Sequence, residues 1–539
     1  MDQRRVVLAI VLSLAVVLGY NELVVRPRQR PSVSEPTPVS PVSGTTLPRI
    51  EPSDQPKAAE NDGGYLSCEI GDGTPIVVET DVWRATLTPQ GGRLTSLVLK
   101  QFRRSVEPES PPLELVEPSR LLPLTLAFGT TKSDAAVVYR PNTSTLSLTG
   151  DATGEIVLTG ATPDGIQLEK RVRFLGNSYV MEVDVRASGP GMANTVSIVL
   201  PQLEREGLST SGGSATNAAV ILSEGKIIET VVDPKTGDVK SEHATGAKWA
   251  AFSVPFFAGA LVASEPAGGS ASVEHIGSKP IVRMEQTLAE GGTSFRVFMG
   301  PKSKEVLAEA GFDLSRLLDF GWFWFIAIPM LYALRWLHRL TGNYGFDIIL
   351  LTGLVRAATV PLTNKSFRSM KDMQKIQPQM KRLQEQYKDD QAKLQKEMMD
   401  LYKRHGVNPF SGCAPMVLQI PIFVGLYNAL LHAIELRHAP FAFWIADLSA
   451  PERLMIGGIG IPVMTLLMGG TMLVQQWLTP QQGVDPMQRQ MMMIMPLVMT
   501  FMFFNFPSGL VLYWLVSNLL GITQQYLMLR GRSDQGSAR

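Results

Sequence analysis

The sequence predicts a mixed fold, a polytopic α-helical membrane bundle joined to a large all-β domain. Three observations predict it. Apolar residues concentrate at 6–25 and again after residue 317 of the 539-residue chain. Between these blocks, apolar and polar positions alternate with Gly, Pro, Asn and Asp punctuation, the period-two pattern of half-buried strands. The mean hydropathy of +0.08 is high for a soluble protein and low for one wholly embedded in lipid. A net charge of +1 argues against nucleic acid as a specific ligand. The two cysteines, Cys68 and Cys413, supply neither a disulfide framework nor a thiolate metal site.

Residues 1–26 read as a retained transmembrane anchor, because the run from Val6 to Val25 follows Arg4 and Arg5 and leads into Arg26, Pro27 and Arg28 without a small-x-small cleavage site. Residues 27–60 carry eight prolines and form an extended linker. Residues 61–312 read as an antiparallel β sandwich. Its clearest hairpin sets Ile166, Leu168, Val172 and Phe174 against Tyr179, Met181, Val183 and Val185, split by Gly176 and Asn177. In 313–343 the uncharged run Phe320–Leu334 is short for a span and rich in Trp, which suits a helix lying in the membrane interface.

Residues 344–530 then hold five expected core spans, at about 346–364, 412–433, 459–478, 491–505 and 509–529, with a turn at Pro507, Ser508 and Gly509. Between the first two lies a helical hairpin, 365–406, with eleven Lys or Arg against six acidic residues between 365 and 405. The positive-inside rule makes it cytoplasmic. Counting the spans then places the β domain outside, both termini inside, and residues 531–539 as a cytoplasmic tail. The hairpin's apolar positions are Met373, Ile376, Met380, Leu383 and Tyr387 on one arm and Leu394, Met398 and Leu401 on the other, and Pro378 is expected to kink the first arm.

Arg356 lies mid-span, where a cation costs roughly 2.5–3.5 kcal/mol on insertion scales. Thr352, Arg356, Thr359 and Thr363 share one helical face, which points to a hydrated cavity or to protein. Other expected spans add Gln419, Tyr427 and Asn428, then Thr471, Gln475 and Gln476, then Tyr513, Ser517, Asn518, Gln524 and Gln525. Ten methionines between 464 and 502 offer an adaptable apolar surface. Lys371, Lys375, Lys381, Arg382 and Tyr387 make the cytoplasmic hairpin a candidate docking arm for a ribosome or targeting factor. No Walker, HExxH or GxSxG motif occurs and the six histidines are scattered, so neither an enzyme nor a cofactor or metal site is expected.

The stretches LTGLVRAATVPLT (351–363), EMMDLYKRHGVNPFSGCAPMVLQIPIFVGLYNAL (397–430), ELRHAPFAFWIADLS (435–449) and FPSGLVLYWLVSNLLGITQQ (506–525) closely resemble the YidC, Oxa and Alb family of membrane protein insertases. Anchor, linker and β domain resemble the Gram-negative YidC form, which implies a periplasmic supersandwich like that of galactose mutarotase. The resemblance implies five core spans around a hydrophilic groove open to cytoplasm and lipid, with the groove arginine corresponding to Arg356. It also implies that Thr352, Tyr513 and Trp514 lie where substrates pass; the family often has Tyr where Trp514 stands. The implied partners are nascent membrane proteins, the Sec translocon, the ribosome, signal recognition particle components and the lipid bilayer. Longer basic tails in some relatives bind ribosomes, a role not carried over to the ten residues after Leu529. A small-molecule transporter should instead show paired half-molecules, and a membrane-anchored periplasmic sugar-binding protein would leave Arg356 unexplained.

Overall fold

The computed structural model describes residues 64–530 apart from 72, 117, 130, 204–216, 234–237, 265–267, 277–278, 290–291, 389, 408–413 and 479–485. The expected anchor, linker and tail, and Cys413, lie outside the described residues.

Residues 76–301 form two sheets over one apolar core. The smaller has five strands, ordered Pro112–Val116, Arg93–Arg103, Trp83–Thr88, Ile76–Glu79 and Thr145–Ser147; the larger has fourteen among the described residues. The hairpin read from alternation is present, with Gln167–Leu175 antiparallel to Val180–Ser188 and Val172 opposite Val183. Its eight expected core residues are all buried. One pairing departs from the antiparallel expectation, because Ile76–Glu79 and Thr145–Ser147 run parallel. Alternation reports which face a residue occupies and not strand direction, and the long intervening chain supplies the crossover that a parallel pair needs.

Lys170 has the same parity as Leu168 and Val172 and is driven into the core with them, fully buried. Its ammonium donates to Gly91 O at 2.9 Å, Leu124 O at 2.5 Å and Asp134 Oδ2 at 3.0 Å. Leu126 N and the Tyr139 hydroxyl complete the shell of Asp134. Desolvation pushes the Asp134 carboxyl up and the Lys170 ammonium down. With every ammonium donor used, Lys170 links three chain segments inside the sandwich.

Among the described residues eight α-helices follow: α1 (Lys304–Ala310), α2 (Trp324–Thr341), α3 (Tyr344–Gln386), α4 (Gln391–His405), α5 (Ala414–Leu431), α6 (Val463–Leu478), α7 (Pro486–Met502) and α8 (Ser508–Arg530). Helix α2 buries Ala327, Met330, Leu331, Leu334 and Leu337 against α3 and α5 and leaves Trp324, Phe325, Tyr332 and Trp336 exposed. Two apolar stripes on one helix suit an element between protein and lipid.

Helix α3 joins two elements that the sequence presents separately. It runs unbroken for 43 residues through Pro361 and Pro378, about 65 Å at 1.5 Å per residue, roughly twice the hydrocarbon thickness. Its apolar segment Tyr344–Ser369 is long enough to span; the apolar stretches Val417–Leu431, Val463–Leu478 and Met493–Asn505 are shorter. The far half of α3 folds against α4, with Ile376, Leu401 and Val407 buried among Met373, Met380, Leu383 and Tyr402. The turn falls between Gln386 and Gln391, and Gly406 ends α4 at φ 62°. Helix α8 packs on α3 and α6, and α6 on α7.

Candidate functional site, a polar seam along α8

Residues four apart on a helix stack on one face, so α8 presents Tyr513, Ser517 and Gly521 as a column. Gln419 on α5 donates to the Tyr513 hydroxyl at 2.7 Å. Arg356 on α3 donates through Nε to Ser517 Oγ at 2.9 Å. Gly521 is the close-approach residue. A Cβ there would stand 3.2 Å from Gln475 Nε2, a tight approach, and 3.6 Å from Arg356 Nη2, in ordinary contact. One turn further, Gln524 donates to Asn364 Oδ1 at 2.8 Å. A second column faces α6, where Asn518 donates to Thr471 Oγ1 and Gln525 to Leu478 O.

The threonines of the expected stripe close on their own helix. Thr352 donates to Ile348 O at 2.6 Å, Thr359 to Arg356 O at 3.0 Å and Thr363 to Thr359 O at 3.0 Å. Thr352 is fully buried. Back-bonding of this kind leaves these hydroxyls needing no outside partner, so the case for a hydrated cavity narrows to Arg356. Tyr513 and Ser517 are buried, whereas Arg356 is half-buried. Among the described residues no carboxylate pairs with Arg356.

Trp514 lies beside the column in an aromatic cluster, its ring centroid 4.7 Å from Phe423 and 5.1 Å from Phe503. Phe423, Phe503, Asn364 and Gly521 escape the sequence reading. Gly521 alone carried a signal, its four-residue spacing from Ser517. On the hairpin, Lys381 and Arg382 are exposed, Lys375 pairs with Asp372 at 2.7 Å, and Lys393 lies over the Tyr387 ring at 5.0 Å. The Lys371 side chain lies outside the described atoms. The methionines divide, with Met464 and Met468 on the buried face of α6 while Met493 and Met495 are exposed on α7.

The two parts together define a membrane protein whose apolar helices enclose a polar seam and carry a large β domain. The profile of the YidC periplasmic domain matches residues 75–333, and that of the 60Kd inner membrane protein family matches 336–535. The membrane protein insertase YidC of Maridesulfovibrio salexigens is 36% identical, covering 98% of this chain and 99% of its own. That of Pelobacter propionicus is also 36% identical, covering 97% and 98%. A solved active YidC insertase with its first transmembrane domain resolved matches at 21% identity and TM-score 0.37, covering 86% of this chain and 95% of that one. This chain belongs to the YidC family of membrane protein insertases. It is an inner-membrane protein with a periplasmic domain.

Proposed function

We propose that the seam formed by Arg356, Ser517, Tyr513 and Gln419 is the polar path along which a nascent membrane protein passes its hydrophilic flank across the bilayer. The observation that carries this reading is a mid-helix guanidinium held through Nε by Ser517 and paired with no described carboxylate. Its remaining donors suit a visiting acidic segment. The apolar part of the client leaves toward lipid along the exposed face of α7, where Met493, Ile494, Leu497 and Phe501 stand. Burial of the client's apolar segment and the membrane potential acting on its charges supply the driving force, so no bond is made or broken.

In this reading α3, α5, α6, α7 and α8 are five core spans and α2 lies in the periplasmic interface. The α3–α4 hairpin is cytoplasmic and offers Lys375, Lys381, Arg382 and the neighbouring Lys371 and Tyr387 to a ribosome or targeting factor. Work alone or beside a Sec translocon is compatible with this geometry. A photo-crosslinking residue at Ser517 or Gln419 should capture an arrested nascent client, and one at Tyr332 on the outer face of α2 should not. Equal capture at all three positions, or none at Ser517, contradicts the path.

A further inference from the structure

Between α5 and α6 the chain forms a small hairpin, Leu454–Ile456 paired with Ile459–Ile461. Gly457 and Gly458 join the strands at φ 58° and 83°, the two positive values that a tight two-residue turn demands. The stem is fixed to the helices. Glu452 accepts from Met464 N at 2.7 Å and Thr465 N at 3.3 Å through Oε1, capping α6, and from Trp444 Nε1 at 2.9 Å through Oε2. Arg453 donates to Phe504 O at 2.7 Å, at the turn between α7 and α8. Beyond this anchored stem no charged residue occurs from 454 to 484.

The tip is apolar and uncovered, with Met455, Ile456 and Ile459 exposed by 65%, 56% and 69%. Phe443, before the stem, is 95% exposed. Such a cluster is unfavourable in water. The unpaired edges of a two-stranded ribbon, in turn, are unfavourable in hydrocarbon, where nothing bonds them. Both demands are met at one level only, the boundary between headgroups and acyl chains. Ile461 is separated from the start of α6 by Pro462 alone, so the ribbon is continuous with a helix read as a span.

We infer that this hairpin is an outer-leaflet anchor, its Met455, Ile456 and Ile459 side chains seated in the phospholipid of the periplasmic leaflet. The inference rests on the membrane arrangement proposed above. It gives α6, α7 and α8 a fixed depth on their own flank, as α2 does for α3 and α5, on which it packs.

The test uses the full chain in phospholipid vesicles, with Cys68→Ser and Cys413→Ser and an environment-sensitive fluorophore on Ile456→Cys. Reference labels sit on Leu467→Cys, an exposed position of α6, and on Val138→Cys, exposed on the β domain. Lipids bearing a nitroxide near the headgroup should quench the Ile456 and Leu467 labels severalfold more than aqueous iodide does, with the reverse at Val138. Iodide quenching at Ile456 with lipid quenching at Leu467 overturns the anchor alone. Shielding of Ile456 from both quenchers also overturns it, since protein would then cover the tip. Loss of lipid quenching at Leu467 overturns the membrane arrangement itself. If Ile456→Cys does not fold, Ile459→Cys, its cross-strand partner on the same face, reads the same surface.

Discussion

In the proposed arrangement, placing Arg356 at mid-membrane costs about 2.5–3.5 kcal/mol, and a hydrogen bond such as that to Ser517 returns on the order of 0.6 kcal/mol in a membrane protein. In that reading water or a passing anion offsets the difference. Arg356→Lys should keep insertion of a client with an acidic flank close to normal. Arg356→Ser should lower it about tenfold, the equivalent of losing one charge-assisted hydrogen bond; initial insertion rates check this, and equal rates for both variants would mean that hydration alone suffices. Lys302, at the end of the last large strand, is buried, donates to Ser253 Oγ at 2.9 Å and is pushed by desolvation down to about 8. Between pH 8 and its ordinary value of 10.5 the unfolded chain therefore binds more protons than the folded one, so stability rises with pH across that window. Lys302→Met should remove the rise, on the order of 3 kcal/mol, as read by denaturant midpoints at pH 7.5 and 10. Residue-level legibility was uneven. The parity of Lys170 announces its burial, but its partner Asp134 lies 36 positions away, and nothing local shows that the threonine hydroxyls turn back on their own helix.

Helices were legible as uncharged blocks, and the two arms of the hairpin as three- and four-residue spacings that the structure uses in packing α3 on α4. The joining of span and arm into one helix was not. Its signal is an absence, the lack of any turn sequence between Thr363 and Met373, and the helix continues through Pro378. Helix α6 meets α7 through a small residue, as close contact in a membrane requires. A Cβ at Gly469 would overlap Thr500 Oγ1. Gly469→Leu should therefore separate α6 from α7 and destabilise the protein by about 1–3 kcal/mol, the usual cost of overpacking. Gly470→Ala, which meets open space, should be near neutral. Thermal unfolding in detergent distinguishes the two.

At the scale of the whole molecule, the division into a β domain and apolar helices follows from where hydrophobic residues concentrate, but the assembly does not. Sheet order depends on pairings remote in sequence, such as the strand Val180–Ser188 with Thr293–Pro301, where Val180 stands opposite Phe298. The β domain meets the helices through Arg335, which binds Glu305 and, at 2.7 Å, Glu435, and through Arg437, which donates to Arg103 O at 2.9 Å. Lone charges of this kind have no periodic signature. The seam likewise draws on α3, α5 and α8; Arg356 stands out in its own segment, but that Ser517 is its partner and Gln419 that of Tyr513 is written in no single segment. The most direct test of the account is insertion of a short single-span protein with an acidic external tail into vesicles containing only this purified chain, scored by protease protection of the tail. Protection well above that in empty vesicles, and reduced by Arg356→Ser, is the predicted result; protection no greater than in empty vesicles, with the chain shown to be folded, would contradict an autonomous path along α8.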